Sequence, residues 1–296
     1  MLHVNQLSKT IDHRPIIEEI DFTWRPGEIV GLVGRNGVGK TTLFRTMTNQ
    51  YVADSGQITI DDHDLQAEPQ FQQHLFFIDT QYNFMGNYRL RELPDFYALV
   101  YTNFDRDRYV KLLQRFDLKL NDQYRRLSKG MRALVNVILA LTSNATYIIL
   151  DEPFDGLDVI VRENIATMVI DEVADQTKGF LISSHDLNEL DGLSDRVLLL
   201  KESRLAHDYN LEDVRATAKK VQLVFKDKVI PEVLKQNSKL IRVSGRVLVV
   251  VFPEYTDELD AQLRALQPVL FEELPLTLED LFRANLSQDT GYQMMK

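Results

Sequence analysis

The chain has 296 residues, contains no cysteine and carries a formal net charge of −10. Without cysteine it can form neither disulfides nor thiolate metal sites, and the acidic balance argues against a broad surface for nucleic acid. No apolar run approaches the ~18–20 residues of a membrane span, so we expect the chain not to cross a membrane itself. The start, Met1–Asn5, lacks the layout of a signal peptide, and we expect a cytoplasmic protein.

The N-terminal stretch predicts an antiparallel sheet with one buried face. Apolar and polar residues alternate in Leu2–Leu7 and again in Ile20–Trp24, which is the period of a half-buried strand. Pro26-Gly27 then predicts a turn, and the apolar run Glu28–Val33 predicts a buried strand. The chain therefore enters the segment Gly34–Thr42 directly from the end of a strand.

Gly34–Thr42 follows the pattern G-x-x-x-x-G-K-[ST] of phosphate-binding loops at every fixed position. The following residues, Thr42–Met47, predict a helix, so backbone N–H groups and the positive end of a helix dipole converge on one place. We expect Lys40 to reach the β- and γ-phosphates of a nucleotide and the Thr41 hydroxyl to ligate Mg²⁺. The nucleotide-binding residues predicted here are Gly34, Asn36, Gly37, Gly39, Lys40, Thr41 and Thr42.

Two acids follow a second buried strand. Residues 85–145 predict a helical segment, since Arg106–Phe116 carries apolar positions at helical spacing. The apolar run Ala145–Leu150 then predicts a strand buried on both faces, as in a parallel sheet. It ends in Asp151 and Glu152, at the edge where α/β sheets place their ligands. We expect Asp151 to hold Mg²⁺ through water and Glu152 to accept a proton from an attacking water.

Beside these two motifs, further segments resemble those of the nucleotide-binding subunits of ABC transporters. Leu127–Met131 occupies the position of the family's L-S-G-G-Q signature and precedes an apolar helix. Gly156–Asp158 resembles the D-loop, and His185 resembles the switch histidine. Gln81 is similar in position to the Q-loop glutamine. The resemblance covers about residues 1–215, and the order and spacing of the segments follow the family.

The resemblance implies an α/β fold: a P-loop NTPase core with a mostly parallel sheet, an N-terminal antiparallel β subdomain and a helical insertion. It implies that two ATP molecules lie between two subunits, which form a homodimer or a heterodimer. ATP binding would close this dimer, and hydrolysis would release it. The catalytic residues that it assigns are Glu152, His185 and Gln81. The metal-binding residues are Thr41, Asp151 and Gln81. The residues assigned to nucleotide contact from the signature and the D-loop are Ser128, Gly130 and Asp158. For Ser128, an ordinary helix cap is the alternative.

Some positions depart from the family pattern. Lys129 replaces the first signature glycine, and its ammonium either adds charge near the γ-phosphate or points into solvent, which we favour. The Q-loop position falls at Thr80 or Gln81. Ile11 stands where the family has a tyrosine that stacks on adenine, and His13 is either its substitute or a surface histidine. Selectivity for adenine over guanine therefore stays open.

The chain is predicted to divide into an ATP-binding domain, residues 1–217, and a small α+β extension, residues 218–296. The extension shows one strand pattern, one hairpin pattern and two helix patterns, at Val221–Phe225, Leu240–Val251, Asp257–Leu266 and Leu278–Phe282. Similar extensions occur on ABC-2-type exporter ATPases. Since it carries no catalytic motif, the extension is either a dimer brace or a regulatory domain, and we favour the brace.

These features predict an ATPase motor bound to a separate ABC-2-like permease at the inner face of the cell membrane, exporting a peptide, drug or lipid. The alternative is a soluble ABC protein that acts on nucleic acid or ribosomes, but a single P-loop and the lack of sustained heptads favour the motor. Four residues just after Gln81 either receive a short helix of the permease or belong to the core: Tyr82, Phe84, Met85 and Tyr88.

Overall fold

The computed structural model describes residues 1–79, 84–227, 230–286 and 293–295. The chain forms two compact units, Met1–Asp208 and Tyr209–Lys296. The domain boundary expected between residues 217 and 218 lies further along the chain than this division and stays a prediction.

The first unit begins with three strands, and its α-helices lie between the strands that follow. Its strands are β1 (Leu2–Ile11), β2 (Arg14–Trp24), β3 (Ile29–Val33), β4 (Ser55–Ile60), β5 (His63–Asp64), β6 (Leu75–Phe77), β7 (Tyr147–Leu150), β8 (Gly179–Ser184), β9 (Arg196–Lys201) and β10 (Arg204–Asn210), the last of which runs into the second unit. Its α-helices are α1 (Lys40–Met47), α2 (Leu93–Val100), α3 (Arg106–Arg115), α4 (Lys129–Thr142) and α5 (Val159–Val173).

The predicted antiparallel sheet is confirmed at the N-terminus. It has the order β2-β1-β4-β5, and each neighbouring pair is antiparallel. Alternation along β1 buries Leu2 and Val4, and Leu7 is buried beyond a register shift in the strand. All three join a core cluster with Leu43 and Phe44 of α1. The helix that follows the phosphate loop is therefore held against this sheet by apolar packing.

A second, mostly parallel sheet carries the predicted motifs, as the predicted fold class requires. Its order is β10-β9-β3-β8-β7-β6, and the pairs from β9 to β6 are parallel. Every residue of β3, β7 and β8 is buried, as expected of strands covered on both faces. The register pairs Val33 with Ser184 and Leu150 with Ile182, so the loops that follow these three strands meet at one edge.

The predicted helical insertion is also confirmed. Between Met85 and Thr142 the chain forms α2, α3 and α4 with short 3-10 turns between them. Asp105 caps α3 by accepting from the Arg108 N–H, which satisfies one of the unpaired donors at the helix start. The insertion returns to the parallel sheet through α4, whose apolar side is buried.

The second unit is a split βαβ arrangement. Its elements are α6 (Leu211–Thr217), β11 (Lys219–Val224), α7 (Glu232–Asn237), β12 (Leu240–Ser244), β13 (Val247–Phe252), α8 (Asp257–Ala265), β14 (Leu270–Leu274), α9 (Leu278–Leu286) and β15 (Gln293–Met295). The sheet order is β14-β11-β13-β12-β15, with antiparallel pairs among the first four strands. The predicted hairpin is β12–β13, which turns at Gly245 with a φ of 66°.

Candidate active site

The phosphate loop has the backbone conformation that its glycines permit. Gly37 and Gly39 have φ angles of 80° and 116°, in the left-handed region that disfavours other residues. A Cβ on Gly39 would also lie 2.8 Å from the Ile16 carbonyl oxygen. Helix α1 begins at Lys40, and its first turn holds no acidic side chain. The loop therefore leads into the positive end of a helix, as an anion-binding site requires.

Lys40 connects this loop to the acidic edge of the sheet. Its side chain is 5% exposed, and Nζ donates to the Gly34 carbonyl oxygen at 2.7 Å. Nζ also lies 3.2 Å from Glu152 Oε1, while Glu152 Oε2 lies 3.5 Å from His185 Nδ1. The Glu152 carboxylate thus lies between the two nitrogen groups. Its backbone φ is 46°, a strained value of the kind found at functional sites.

The Ser183 hydroxyl links Asp151 to Glu152 by hydrogen bonds. Thr41 Oγ1 donates to Asp151 Oδ2 at 2.6 Å, and Ser183 Oγ donates to Asp151 Oδ1 at 2.6 Å. Ser183 Oγ in turn accepts from the Glu152 N–H at 2.8 Å. Ser183 is fully buried at the end of β8, and it fixes both the Asp151 carboxylate and the Glu152 backbone. Sequence reasoning missed this role, although two hydroxyls at the end of an apolar strand were the available signal.

A cavity of about 1080 Å³ opens beside these groups. The predicted residues that line it are Asn36, Gly37, Gly39–Thr42, Asp151 and Glu152. Ile11, Asp12 and Arg14 also line it, whereas His13, between them, is an exposed turn residue outside the lining. This placement favours the interpretation of His13 as a surface histidine.

The structure does not test the predicted Q-loop position. Thr80, Gln81 and Tyr82 lie outside the described residues. Strand β6 ends at Phe77, and Asp79 beyond it accepts from Arg45 Nε of α1 at 2.6 Å. That ion pair is buried and links the end of β6 to the helix after the phosphate loop.

The signature residues form a separate group with the D-loop residue. Ser128 caps α4 by accepting from the Met131 N–H at 3.2 Å, and Asp158 caps α5 by accepting from the Val161 N–H at 3.0 Å. A Cβ on Gly130 would lie 3.3 Å from Val161 Cγ2, so the glycine allows the two helix starts to approach. Ser128, Gly130 and Asp158 do not line the cavity with Lys40. Within the single chain, Ser128 therefore acts as the cap of α4.

Lys129 is largely exposed and forms an ion pair with Asp155. Its Nζ lies 2.7 Å from Asp155 Oδ2, although both side chains stay about half exposed, at 58% and 47%. The Lys129 ammonium holds the pKa of the Asp155 carboxyl below its usual range. Both residues line the cavity. The prediction that the ammonium points into solvent was therefore incomplete, because it missed this ion pair.

The comparisons with known proteins agree with this geometry. The family model described as ABC transporter matches residues 17–155. ABC transporter ATP-binding protein YtrB of Bacillus subtilis (strain 168) is 31% identical over 284 residues, covering 96% of this chain and 97% of YtrB. The chain belongs to the ABC transporter ATP-binding proteins. It is accordingly an ATPase of that family.

Other ABC proteins match the nucleotide-binding part. Lipopolysaccharide export system ATP-binding protein LptB of Escherichia coli (strain K12) is 30% identical over 215 residues, covering 69% of this chain and 88% of LptB. A solved ATP-binding subunit of an ABC transporter is 26% identical, with a TM-score of 0.64, covering 73% of this chain and 92% of its own. The dimeric cassette MJ0796 bound to ADP and Pi has a TM-score of 0.64 at 20% identity, over 71% of this chain and 99% of its own, and shows the fold alone.

The site of this ABC ATPase suits nucleotide with Mg²⁺. Thr41 Oγ1 and Asp151 Oδ2 offer adjacent oxygen ligands of the hard type that Mg²⁺ prefers. The described part of the chain holds no cluster of three or more acidic or histidine side chains that would cage a metal by itself. Within the same described residues, no helix is both long and apolar enough to cross a membrane.

Proposed function

We propose that this ABC ATPase is the motor subunit of an exporter, coupling ATP binding and hydrolysis to the movement of a peptide, drug or lipid through a separate ABC-2-like permease. The observation that carries the chemistry is the meeting of Lys40, Glu152 and His185 beside the Thr41–Asp151 pair at one edge of the parallel sheet. A cation for phosphate, a carboxylate base and a metal-binding pair are thereby within reach of one bound nucleotide.

Each residue takes a separate part in hydrolysis. Phosphates of ATP would compete with Glu152 for the Lys40 ammonium, so nucleotide binding frees the carboxylate to accept a proton from the attacking water. His185, 3.5 Å from Glu152, would orient that carboxylate and the γ-phosphate. Thr41 and Asp151 would hold Mg²⁺, which when bound neutralises charge on the β- and γ-phosphates. Gln81 is proposed as a further metal and water ligand by resemblance.

The second group of residues supports a composite site between two subunits. Ser128 and Gly130 lie at the start of α4, a helix of fourteen residues whose N-terminus can receive an anion. Because they do not line the cavity with Lys40 in one chain, we propose that they contact the γ-phosphate bound by a second subunit, with Asp158 beside them. The assembly would be a homodimer or a heterodimer that closes on two ATP molecules.

A partly exposed aromatic cluster supports docking to a permease. Phe84 is 51% exposed, and its ring lies 5.2 Å from Phe96 and 5.9 Å from Tyr88 between ring centroids. Met85, the third of the four residues named after Gln81, is fully buried and belongs to the core. Aromatic residues are enriched at protein contacts, and a solvated aromatic cluster is otherwise costly. We propose that Phe84, Tyr88 and Phe96 receive a cytoplasmic segment of the permease, which would hold the chain at the inner face of the cell membrane. The name of the relative LptB supports export as the direction.

Co-purification of the full chain from native membranes tests the motor proposal. We expect an integral membrane protein to accompany the wild type and to be lost on Phe84→Asp, while ATPase activity of the isolated chain is retained. The matched control is Ile170→Asp on α5, since Ile170 is 50% exposed and lies outside the aromatic cluster. A wild-type chain that captures no membrane protein would contradict the motor role. Equal capture by both variants would contradict the docking surface alone.

A further inference from the structure

The residues of the second unit that the structure describes cover one face of its sheet only in part. Side chains alternate between the two faces of a strand, and Val221, Leu223, Val250 and Phe252 pack against α7 and α8 on one face. On the other face, the contact comes from α9: its Asp280 carboxylate accepts from Lys220 Nζ at 2.7 Å, and its Ala284 clusters with Val251. Those contacts cover one end of that second face.

The strand registers arrange the rest of the second face in two rows. One row runs from β14 to β12 through Glu272, Gln222, Val249 and Arg242. The next row runs through Leu270, Val224, Val247 and Ser244. We call the set Val224, Arg242, Val247, Val249, Leu270 and Glu272 the open face.

The open face combines an apolar centre with opposite charges at its two sides. Val224, Val247 and Val249 are half-buried, and Leu270 is 39% exposed. Arg242 on β12 and Glu272 on β14 are exposed, and they lie in the same row with β11 and β13 between them. An apolar centre flanked by polar residues is the composition of a protein interface rather than of a solvated sheet.

We propose that the open face binds the open face of a second copy of this chain. A two-fold axis along the strands, between β11 and β13, places Arg242 of each copy opposite Glu272 of the other. The same operation places Gln222 opposite Val249 and stacks the valines at the centre. The surface is thus complementary to itself in charge, as an isologous contact requires. This contact needs no nucleotide and is independent of the proposed composite ATP site.

Charge also argues against pairing through the edge strand. Strand β14 lies at one edge of the sheet, and edge-to-edge pairing of two copies would bring Glu272 and Glu273 toward their own symmetry mates. Like charges on opposed strands are destabilising, and charged residues are a common protection of edges. Face-to-face packing avoids that repulsion and uses Arg242.

The test is the oligomeric state of the nucleotide-free full chain, measured by sedimentation over a concentration series. We expect the wild type to dimerise, and Arg242→Glu or Glu272→Arg each to raise the dimer Kd about tenfold or more, about 1.4 kcal/mol, because each change occurs twice across the two-fold axis. The double variant Arg242→Glu with Glu272→Arg should restore dimerisation.

Glu273→Arg is the matched control. Glu273 lies on the same strand as Glu272 but on the other face, where it pairs with Lys219 at 3.1 Å, so its reversal should leave the dimer Kd unchanged. Far-ultraviolet circular dichroism checks that each variant folds. A wild type that is monomeric without nucleotide would overturn the proposal. So would single reversals without effect, or a double variant that stays monomeric.

Discussion

Buried charge serves different purposes at Asp280 of the second unit and at Lys40 of the first. In the second, Asp280 is buried and accepts from Lys220, from the Thr277 hydroxyl and from the Thr277 N–H. Burial opposes its ionisation, but these donors hold the pKa of Asp280 below its usual range. In the first, Lys40 is equally buried, yet it lines a large cavity and lies beside Glu152. A buried charge that is satisfied on all sides anchors structure, whereas one that faces a cavity is available for chemistry.

The largest expected effect is on hydrolysis in the first unit. Glu152→Gln removes the proposed base and should slow ATP hydrolysis by about 10²–10⁴-fold while ATP still binds. Lys40→Ala should instead weaken nucleotide binding, because it removes a charge-assisted contact to phosphate. Steady-state turnover and nucleotide titration separate the two variants. Near-normal turnover by Glu152→Gln would show that Glu152 is not the base.

The first unit also contains a buried charge that is fully paired, at Glu172, which can be compared with Lys40. Glu172 of α5 is buried and paired with Arg108 and Lys178. Burial opposes ionisation, but the two cations hold the pKa of Glu172 below its ordinary value of 4.5. Glu172→Gln leaves Lys178 buried without its anion and should lower the free energy of unfolding by about 3 kcal/mol near neutral pH. Because the folded pKa is lowered, the contribution is fully present above about 4.5 and is lost as the pH falls below it.

Denaturant unfolding at several pH values measures this effect. The control is Asp95→Asn, which breaks the exposed pair with Arg106 and should cost less than about 1 kcal/mol. ATPase activity per folded molecule should be unchanged in both variants. A cost for Glu172→Gln that matched the control, or that grew in acid, would contradict the structural assignment.

How far the sequence predicted the molecule depends on the range of each contact. The phosphate loop and the two acids at the end of β7 follow from local patterns, since neighbouring residues alone shape a strand–loop–helix turn. Ser183 acts on Asp151 from 32 residues away, and Lys129 pairs with Asp155 from 26 residues away. No local pattern reports such contacts. In the second unit the sequence predicted the hairpin and the helices α8 and α9 but not α6 or α7. It did not predict the strand order either, because short strands do not specify their partners.

The role of Ser183 provides a smaller test. Ser183→Ala removes the hydroxyl that donates to Asp151 and accepts from the Glu152 N–H, so both acids lose a support. We expect hydrolysis to slow about tenfold with ATP affinity nearly unchanged. Ser143→Ala removes another buried hydroxyl, which donates to the Ala140 carbonyl oxygen, and serves as the control for stability. If both variants lose activity equally, Ser183 does not position the acids.

The smallest expected effect concerns the nucleobase. Ile11 lines the cavity at the position where an aromatic would stack, and His13 lies outside the lining. ATP and GTP should therefore bind within about tenfold of each other, about 1.4 kcal/mol. His13→Ala should leave the ratio of affinities unchanged, whereas Ile11→Tyr should raise it in favour of ATP. A strong ATP preference that His13→Ala abolishes would show that His13 performs the stacking.

The central claim is that the chemistry belongs to the first unit and that the second unit holds copies together. The most direct test is ATPase rate against subunit concentration for the full chain and for a chain ending at Ala216. The shorter chain retains Lys40, Asp151 and His185, so it should bind ATP with unchanged affinity. At low concentration the shorter chain should be less active than the full chain, because it lacks the proposed dimer contact of the second unit. Its activity should recover as the concentration rises, since mass action then favours the dimer. A shorter chain that does not bind ATP, or one that is more active than the full chain at every concentration, would contradict the account.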